Sequence, residues 1–255
     1  MKVSVVIPAY NEEHYIATCL ESIYQQTTAP DEVIVVDNNS TDYTAAIAQR
    51  YPVRVVTEKE QGMTPARNRG FNAAKYDLIV RTDADCKVPP DWIKRIKKLF
   101  NDKNVDAIAG LAYFYDLPMK SSNAHKLVMD SIATFLQGKE MLNGPNFAVT
   151  KKIWDLVKND ICLDDKMVHE DMDLAIHIHR AGGKIYRDNS LVVGSSGRRI
   201  VRKPVSMFIE YPYRTLKMMW IHLFDKPAPS GLSQAVVKQL KEYRRTLIEA
   251  YRGKF

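Results

Sequence analysis

Two carboxylates, Asp83 and Asp85, stand one residue apart directly after the apolar run Leu78-Ile79-Val80. Such a run is typical of a buried parallel strand, and the carboxyl ends of these strands face the ligand crevice of an open α/β sheet. Hard divalent ions take oxygen ligands and bridge carboxylates to phosphate oxygens, so the pair predicts a Mg²⁺ or Mn²⁺ site for a diphosphate. The alternative is a solvated acid pair that only ends the strand, because Asp-x-Asp alone is a common motif.

Predicted strands and helices alternate through residues 1–105, in the rhythm of a parallel sheet with right-handed crossovers. The predicted strands lie at 2–8, 32–37, 53–56 and 78–80. The first helix is expected to open at Asn11, and Thr64 is the expected N-cap of the helix before the fourth strand. Beyond residue 106 we expect shorter strands, two of them at 184–186 and 191–193, with helices at 123–136 and 169–181. The pattern predicts an α/β fold with a Rossmann-like, mostly parallel central sheet flanked by helices. Two further helical patterns around a Pro-rich joint predict a helical C-terminal extension at 201–255.

The composition is that of an ordinary globular protein with a modest basic excess. There are 37 Lys and Arg against 30 Asp and Glu, a net charge of +7. This suits phosphate-bearing substrates, nucleic acid or an anionic membrane surface, and does not choose among them. The three well-separated cysteines predict reduced thiols rather than disulfides or a zinc site. No apolar run reaches the length of a membrane span, and the N-terminus enters a strand directly, so we expect a cytoplasmic protein without a signal peptide.

Four polar clusters follow the four predicted strands of residues 1–105. They lie at 8–12, 37–42, 62–70 and 83–85. In a doubly wound sheet such clusters converge on one crevice. Each taken singly is also good turn or helix-capping composition. Four of them on consecutive strand ends favour a binding site, with backbone donors, a cation for phosphate and a metal-binding acid pair.

The ordered motifs resemble family 2 of the nucleotide-sugar glycosyltransferases, which have the GT-A fold. The motifs are residues 5–12, the turn 37–42, Ala66-Arg67-Asn68-x-Gly70, Asp83-x-Asp85 and Glu170-Asp171. The resemblance covers about residues 1–200. It implies a catalytic domain there, with a nucleotide-binding half at 1–105 and an acceptor-binding half at 106–200.

The resemblance also implies roles for individual residues. The nucleotide site would be lined by Pro8, Ala9, Tyr10 and Glu12, the base contacted by Asp37 and Asn38, and the base or diphosphate by Arg67. Asp83 would meet the ribose and the metal, and Asp85 would be the principal metal ligand. Many members of the family have a second acid where this chain has Asn38, an acid that can accept a proton from the base. Because this chain departs from the family at that position, uridine is favoured over guanosine without being decided.

Glu170 and Asp171 supply a second chemical element. Sugar transfer requires the acceptor hydroxyl to lose its proton, and a carboxylate opposite the leaving diphosphate can be the general base. A metal would neutralise the departing charge. No covalent intermediate is needed, so a single displacement with inversion follows. The resemblance assigns the base to Asp171, with Glu170 supporting it. The alternative is that both acids only stabilise the N-terminus of their helix.

Three further groups are candidates for the sugar, acceptor and diphosphate. Gly144-Pro145-Asn146 is predicted to form the floor near the sugar, because a Gly-Pro loop lets the backbone approach a ligand closely. His169 is predicted to be a capping or acceptor-site residue. In the family that the chain resembles, a loop near Arg198 and Arg199 closes over the diphosphate, which implies a clamp. The alternative is a solvated run of charge.

These observations predict an inverting, metal-dependent glycosyltransferase of the hexosyltransferase type. The donor would be a nucleotide-diphospho-sugar, with a UDP-sugar favoured, and the acceptor a hydroxyl, with lipid-linked or polysaccharide intermediates among the candidates. A sugar-1-phosphate nucleotidyltransferase is the enzymatic alternative, but it calls for a Gly-rich phosphate loop where this chain has Pro8-Ala9-Tyr10-Asn11. A non-catalytic basic protein that binds membrane or RNA is the other alternative. The chain lacks interleaved aromatic RNA-binding motifs, so we expect no nucleic-acid partner.

The two helical patterns of the C-terminal extension each carry a stripe of apolar residues, and three placements of these helices stay open. Apolar residues such as Val205, Ile209 and Trp220 recur at helical spacing beside basic residues. Such helices can lie on the headgroup layer at the inner face of a membrane. Amphipathic helices more often pack on their own domain or form a homodimer.

Overall fold

The structure is a computed structural model that describes residues 1–118, 122–135 and 138–202, together with 205, 209–210, 213–215, 217–218 and 222. Met1–Met218 form one compact unit. Of the second unit, Met219–Phe255, the structure describes only His222, so most of the predicted C-terminal extension lies outside the described residues. Among the described residues, no helix is both long and apolar enough to cross a membrane.

Seven strands form one sheet in the order β3-β2-β1-β4-β6-β5-β7. They are β1 (Val3–Ala9), β2 (Glu32–Asp37), β3 (Arg54–Thr57), β4 (Leu78–Arg81), β5 (Ala107–Phe114), β6 (Phe147–Thr150) and β7 (Ile185–Ser195). The first four are parallel, β6 runs antiparallel to both of its neighbours, and β5 pairs parallel with β7. The predicted mostly parallel α/β sheet is thereby confirmed, with the antiparallel β6 as an addition to it.

The described helices cover both faces of this sheet. They are α1 (Ile16–Tyr24), α2 (Thr44–Ala48), α3 (Met63–Ala73), α4 (Trp92–Asp102), α5 (Asn123–Phe135), α6 (Lys151–Val157), α7 (Glu170–Arg180) and α8 (Arg198–Arg202). Alternate residues of β1 enter opposite cores: Val5 and Ile7 pack with α1 and α4, whereas Val6 packs with Phe71 of α3 and Trp154 of α6. Burial on both faces explains why the central strands are continuous apolar runs.

The antiparallel strand β6 brings a distant loop to the ligand edge of the sheet. Phe147, at the amino end of β6, pairs with Arg81, at the carboxyl end of β4. The loop that precedes β6, with Gly144 and Pro145, therefore reaches the edge at which β1, β2 and β4 end. An all-parallel arrangement would have placed this loop at the opposite edge.

Candidate active site

A cleft of about 680 Å³ opens along this edge and gathers most of the predicted site residues. Its lining includes Pro8, Ala9, Tyr10, Glu12, Asn38, Asp83, Asp85, Gly144, Pro145, His169, Glu170, Asp171 and Arg199. Four predicted residues are not in the lining: Asp37, Arg67, Asn146 and Arg198. The two acid motifs, separated by more than eighty residues of chain, thus share one cavity.

Glu170 is held between two fully buried arginines. Arg67 Nη1 donates to the Glu170 backbone carbonyl at 2.5 Å and to its Oε2 at 3.0 Å, and Arg81 Nη1 donates to the other carboxylate oxygen. Both guanidinium groups are shielded completely from solvent. Burial raises the pKa of Glu170, and the two cations oppose that rise. The acid is therefore anchored in the interior, with one carboxylate oxygen assigned to each arginine.

Arg67 lies behind the cleft, where the resemblance implied a contact with the base or diphosphate. Its remaining donors, Nε and Nη2, are used by Asn68 Oδ1 at 3.0 and 2.9 Å. The guanidinium carbon also lies 5.7 Å from the Trp154 ring centroid. Glu170 and Asn68 accept four hydrogen bonds from this guanidinium, so the structure places Arg67 against the α7 terminus and outside the cleft lining, and its expected contact with the donor stays a prediction.

Asp171 faces the cleft with its carboxylate oriented by backbone donors. Gly144 N–H donates to Asp171 Oδ2 at 2.7 Å, and Met172 N–H donates to Oδ1 at 2.8 Å. Each oxygen keeps lone pairs for a further partner, since a carboxylate offers about four acceptor sites. Asp171 can therefore accept a proton from a hydroxyl in the cleft, while Glu170 fixes the start of the helix that carries it.

Arg81 is a site residue that the sequence interpretation missed. Its Nη2 donates to Asp83 Oδ1 at 2.9 Å, while Nη1 binds Glu170. One buried guanidinium thus joins the Asp83 motif to the Glu170 motif and also contacts the Phe147 ring. The signal in the sequence was a charge at the end of an otherwise apolar buried strand, which requires compensation in the interior.

A second charged cluster brings Glu12, Asp85 and Arg198 together. Arg198 Nη2 lies 3.3 Å from Asp85 Oδ2 and also donates to Glu12 Oε1. Burial, reinforced by the charge of Asp83, raises the pKa of Asp85 to about 7, although Arg198 opposes the rise. Burial likewise raises the pKa of Glu12. The cluster gathers the two carboxylates of Glu12 and Asp85 around one guanidinium, with Asp83 close enough to raise the pKa of Asp85, a setting that favours a cation of higher charge.

The acid pair fits a hard divalent ion. Glu12 Oε2 is buried and has no hydrogen-bond partner among the described residues. The Arg198 guanidinium already stands as a cation against Asp85, which shows that this position accepts positive charge. Oxygen-only donors are those that Mg²⁺ and Mn²⁺ prefer. Asp85 and Asp83 are the residues that would hold the ion.

The nucleotide side of the cleft differs in part from the expectation. Asn38 donates from Nδ2 to the carbonyls of Glu58 and Glu60, at 3.2 and 2.7 Å, and accepts from Gly62 N–H at 2.8 Å. Its amide therefore closes the loop between β3 and α3. Asp37 accepts from Ser40 N–H at 3.3 Å and lies outside the lining. The exposed ring of Tyr10 remains at the mouth.

Asn146 has a structural position rather than a place in the cleft. Its Oδ1 accepts from Trp92 Nε1 at 2.9 Å, and its Nδ2 donates to the carbonyls of Leu111 and Leu191 at 2.9 and 2.8 Å. The side chain is fully buried and ties β5, β7 and α4 together. Its neighbours Gly144 and Pro145, by contrast, line the cleft as expected.

Asp165 is a second residue that the sequence interpretation missed. It lines the cleft and accepts from Thr64 N–H at 3.0 Å, which caps α3 from a position 101 residues away. Thr64 was predicted to be the N-cap of this helix, but Gly62 occupies that place, with a φ of 156°. No local pattern links Asp165 to α3, because the contact depends on the tertiary fold.

The chain belongs to glycosyl transferase family 2. The family model matches residues 4–157, which carry the sheet edge and the Asp83 motif. The glycosyltransferase AglE of Haloferax volcanii is 31% identical over 170 residues, covering 64% of this chain and 54% of that protein. The dolichol-phosphate mannosyltransferase of Pyrococcus furiosus is 39% identical over 102 residues, covering 38% of this chain and 29% of that protein.

Solved structures show the same fold. The glucosyl-3-phosphoglycerate synthase of Mycobacterium tuberculosis, crystallised with Mn²⁺, UDP and glucosyl-3-phosphoglycerate, matches with a TM-score of 0.61 at 20% identity. The match covers 84% of this chain and 79% of that one. The predicted GT-A Rossmann-like fold is confirmed. The chain spans about half or less of the curated relatives it matches.

Proposed function

We propose that this chain is an inverting, metal-dependent glycosyltransferase that moves a sugar from a nucleotide-diphospho-sugar, with UDP favoured as the nucleotide, to a hydroxyl acceptor. The observation that carries the proposal is the shared cleft, which holds a cation-demanding acid pair together with the backbone-oriented carboxylate of Asp171. Membership of family 2 and the names of the relatives support it. The crystallised neighbour with Mn²⁺ and UDP supports the choice of metal and nucleotide.

The proposed division of roles follows from the contacts. Asp85 and Asp83 hold the divalent ion, which when bound neutralises charge on the leaving diphosphate. Asp171 accepts the proton of the acceptor hydroxyl, and Arg67 and Arg81 fix Glu170 so that Asp171 keeps its orientation. Pro8, Ala9 and Tyr10 form the nucleotide wall. With one carboxylate as base and none required as nucleophile, the displacement is single and the anomeric centre inverts.

We propose an acceptor with an apolar part. The cleft wall beside His125 includes Ala112, Phe114 and Val128, and Val128 together with its exposed neighbour Leu127 extends that apolar surface outward on α5. One relative is named for a dolichol-phosphate acceptor, which fits this surface. A lipid-linked acceptor would bring the protein to the inner face of a membrane as a peripheral component.

A donor screen tests the proposed function. The protein is mixed with a panel of UDP- and GDP-sugars, with Mn²⁺ or with excess EDTA, and the release of nucleoside diphosphate and the melting temperature are measured. One donor should be hydrolysed only with metal, and its nucleotide should raise the melting temperature only with metal, because a ligand that binds only the native state stabilises it. No stabilisation by any nucleotide in Mn²⁺ would contradict the proposal. With an identified acceptor, NMR should show a product of inverted anomeric configuration.

A further inference from the structure

Arg198 reaches back from the end of β7 into the acid cluster. Its guanidinium contacts Asp85 Oδ2 at 3.3 Å, binds Glu12 Oε1 and lies 4.2 Å from the centroid of the Tyr15 ring. The adjacent Arg199 lines the cleft instead. The structure thus places the Arg198 guanidinium directly against Asp85 of the metal-binding motif.

The turn that carries Arg198 is anchored independently of these acids. Asp116 accepts from Ser196 Oγ and from Gly197 N–H, both at 2.6 Å. A side chain at Gly197 would collide with Leu117, since its Cβ would lie 2.5 Å from Leu117 Cγ. Because the backbone is held from this other side, the Arg198 side chain can leave Asp85 while its turn stays in place.

A cation on Asp85 must compete with this guanidinium. Arg198 donates a charge-assisted hydrogen bond to Glu12, which is stronger than a neutral one, and forms an ion pair with Asp85 at 3.3 Å. A metal ion that approached Asp85 with Arg198 still in place would meet a positive charge 3.3 Å from Oδ2. Metal binding therefore requires Arg198 to lose its partner in the acid cluster.

Building on the proposed function, we propose that Arg198 is the resident counter-ion of the metal site, which a divalent ion must displace, and that metal and nucleoside diphosphate consequently bind together. A diphosphate offers the displaced guanidinium a new partner, because its oxygens match the fork of an arginine. Metal alone offers no such partner. Arg198 thereby makes metal affinity depend on the presence of the donor.

The experiment measures the affinity of Mn²⁺ without nucleotide, by titration of the free-ion electron paramagnetic resonance signal. Wild type, Arg198→Gln and Arg199→Gln are compared, and circular dichroism confirms that each is folded. Both variants lose one positive charge beside the same cleft, so their general electrostatic effects are matched. Arg198→Gln should bind Mn²⁺ roughly tenfold more tightly than wild type or better, since the charge-assisted hydrogen bond to Glu12 that displacement breaks is worth about that factor. Arg199→Gln should gain less than about threefold.

Two results of this Mn²⁺ titration would overturn the proposal about Arg198. Unchanged or weaker Mn²⁺ binding by Arg198→Gln would overturn the proposal, and so would equal gains in the two variants, which would mean a general field effect. The same titration with UDP present separates this proposal from the proposed function. Wild type should then gain more Mn²⁺ affinity from UDP than Arg198→Gln does. If neither protein bound Mn²⁺ even with UDP, the metal-dependent function itself would fail, and the role of Arg198 with it.

Discussion

Glu170→Gln tests whether this acid is an anchor or a catalyst. The substitution leaves Arg67 and Arg81 buried without a carboxylate between them, and the side-chain charge of the three residues rises from +1 to +2. Breaking a buried ion pair by removing one partner costs about 3–5 kcal/mol. This is a large share of a typical unfolding free energy of about 5–15 kcal/mol. For a chain of this length, each kcal/mol lowers the melting temperature by about 2–4 °C.

We therefore expect Glu170→Gln to lower the melting temperature by roughly 6–20 °C. Urea denaturation should show a lower midpoint with an unchanged slope. Asp171→Asn is the adjacent control: its one Oδ atom can still accept the Gly144 N–H, the hydrogen bond from Met172 N–H is lost, and the change should cost about 1–2 kcal/mol. Asp102→Asn, in an exposed pair with Lys98, should cost less than about 1 kcal/mol. If Glu170→Gln unfolded like wild type and lost only turnover, the anchoring role would be refuted.

Three further substitutions test the metal, the nucleotide loop and the Arg198 turn. Asp85→Asn should abolish Mn²⁺- or Mg²⁺-dependent nucleotide binding in calorimetry without lowering the melting temperature. Excess EDTA should abolish the same binding in wild type. Metal-dependent nucleotide binding retained by the variant would contradict the metal assignment. Asn38→Asp replaces a donor that faces two backbone carbonyls with an acceptor, and should cost about 1–3 kcal/mol in thermal unfolding; an unchanged melting temperature would contradict the loop role. Although burial opposes it, hydrogen bonds from Ser196 and Gly197 lower the pKa of Asp116. Its stabilisation is thus complete above the unfolded pKa of about 3.9 and is lost as pH falls through the lower folded value. The melting-temperature gap between wild type and Asp116→Asn should close below that value; a gap constant across pH would contradict the assignment.

The sequence predicted the first half of the sheet well because its signals are local. Apolar runs ended by polar turns correspond to β1 through β4. The position of β6 could not be predicted, because a four-residue antiparallel strand between β4 and β5 is determined by pairing across the fold. The two short strands expected near 184–186 and 191–193 are one strand, β7, with a register shift between Ala109 and Leu111 of its partner. Helix α1 begins at Ile16 rather than near Asn11, where the backbone has a φ of 53°.

The site was predictable where a motif carries its own signal, and less so where a residue acts through partners. Asp83, Asp85 and Asp171 reach one cleft as expected, and their catalytic and metal-binding roles stay predictions. Arg67 was expected to contact the donor, because a sequence motif shows the order of residues and does not show how deeply each side chain is buried. Arg81 was overlooked because its partner Glu170 lies 89 residues away, and only the folded chain joins the two.

The most direct test of the account compares donor binding and transfer in Asp171→Asn. Using the donor identified by the screen, the affinity for Mn²⁺ and nucleotide is measured by calorimetry, and the single-turnover rate of the bound donor is measured by rapid quench. The account predicts a donor affinity within about threefold of wild type and a rate lower by roughly 10²-fold or more, the scale of a lost general base. A variant with weakened donor affinity and an undiminished rate of bound donor would show that Asp171 is a binding or structural acid and would contradict the mechanism.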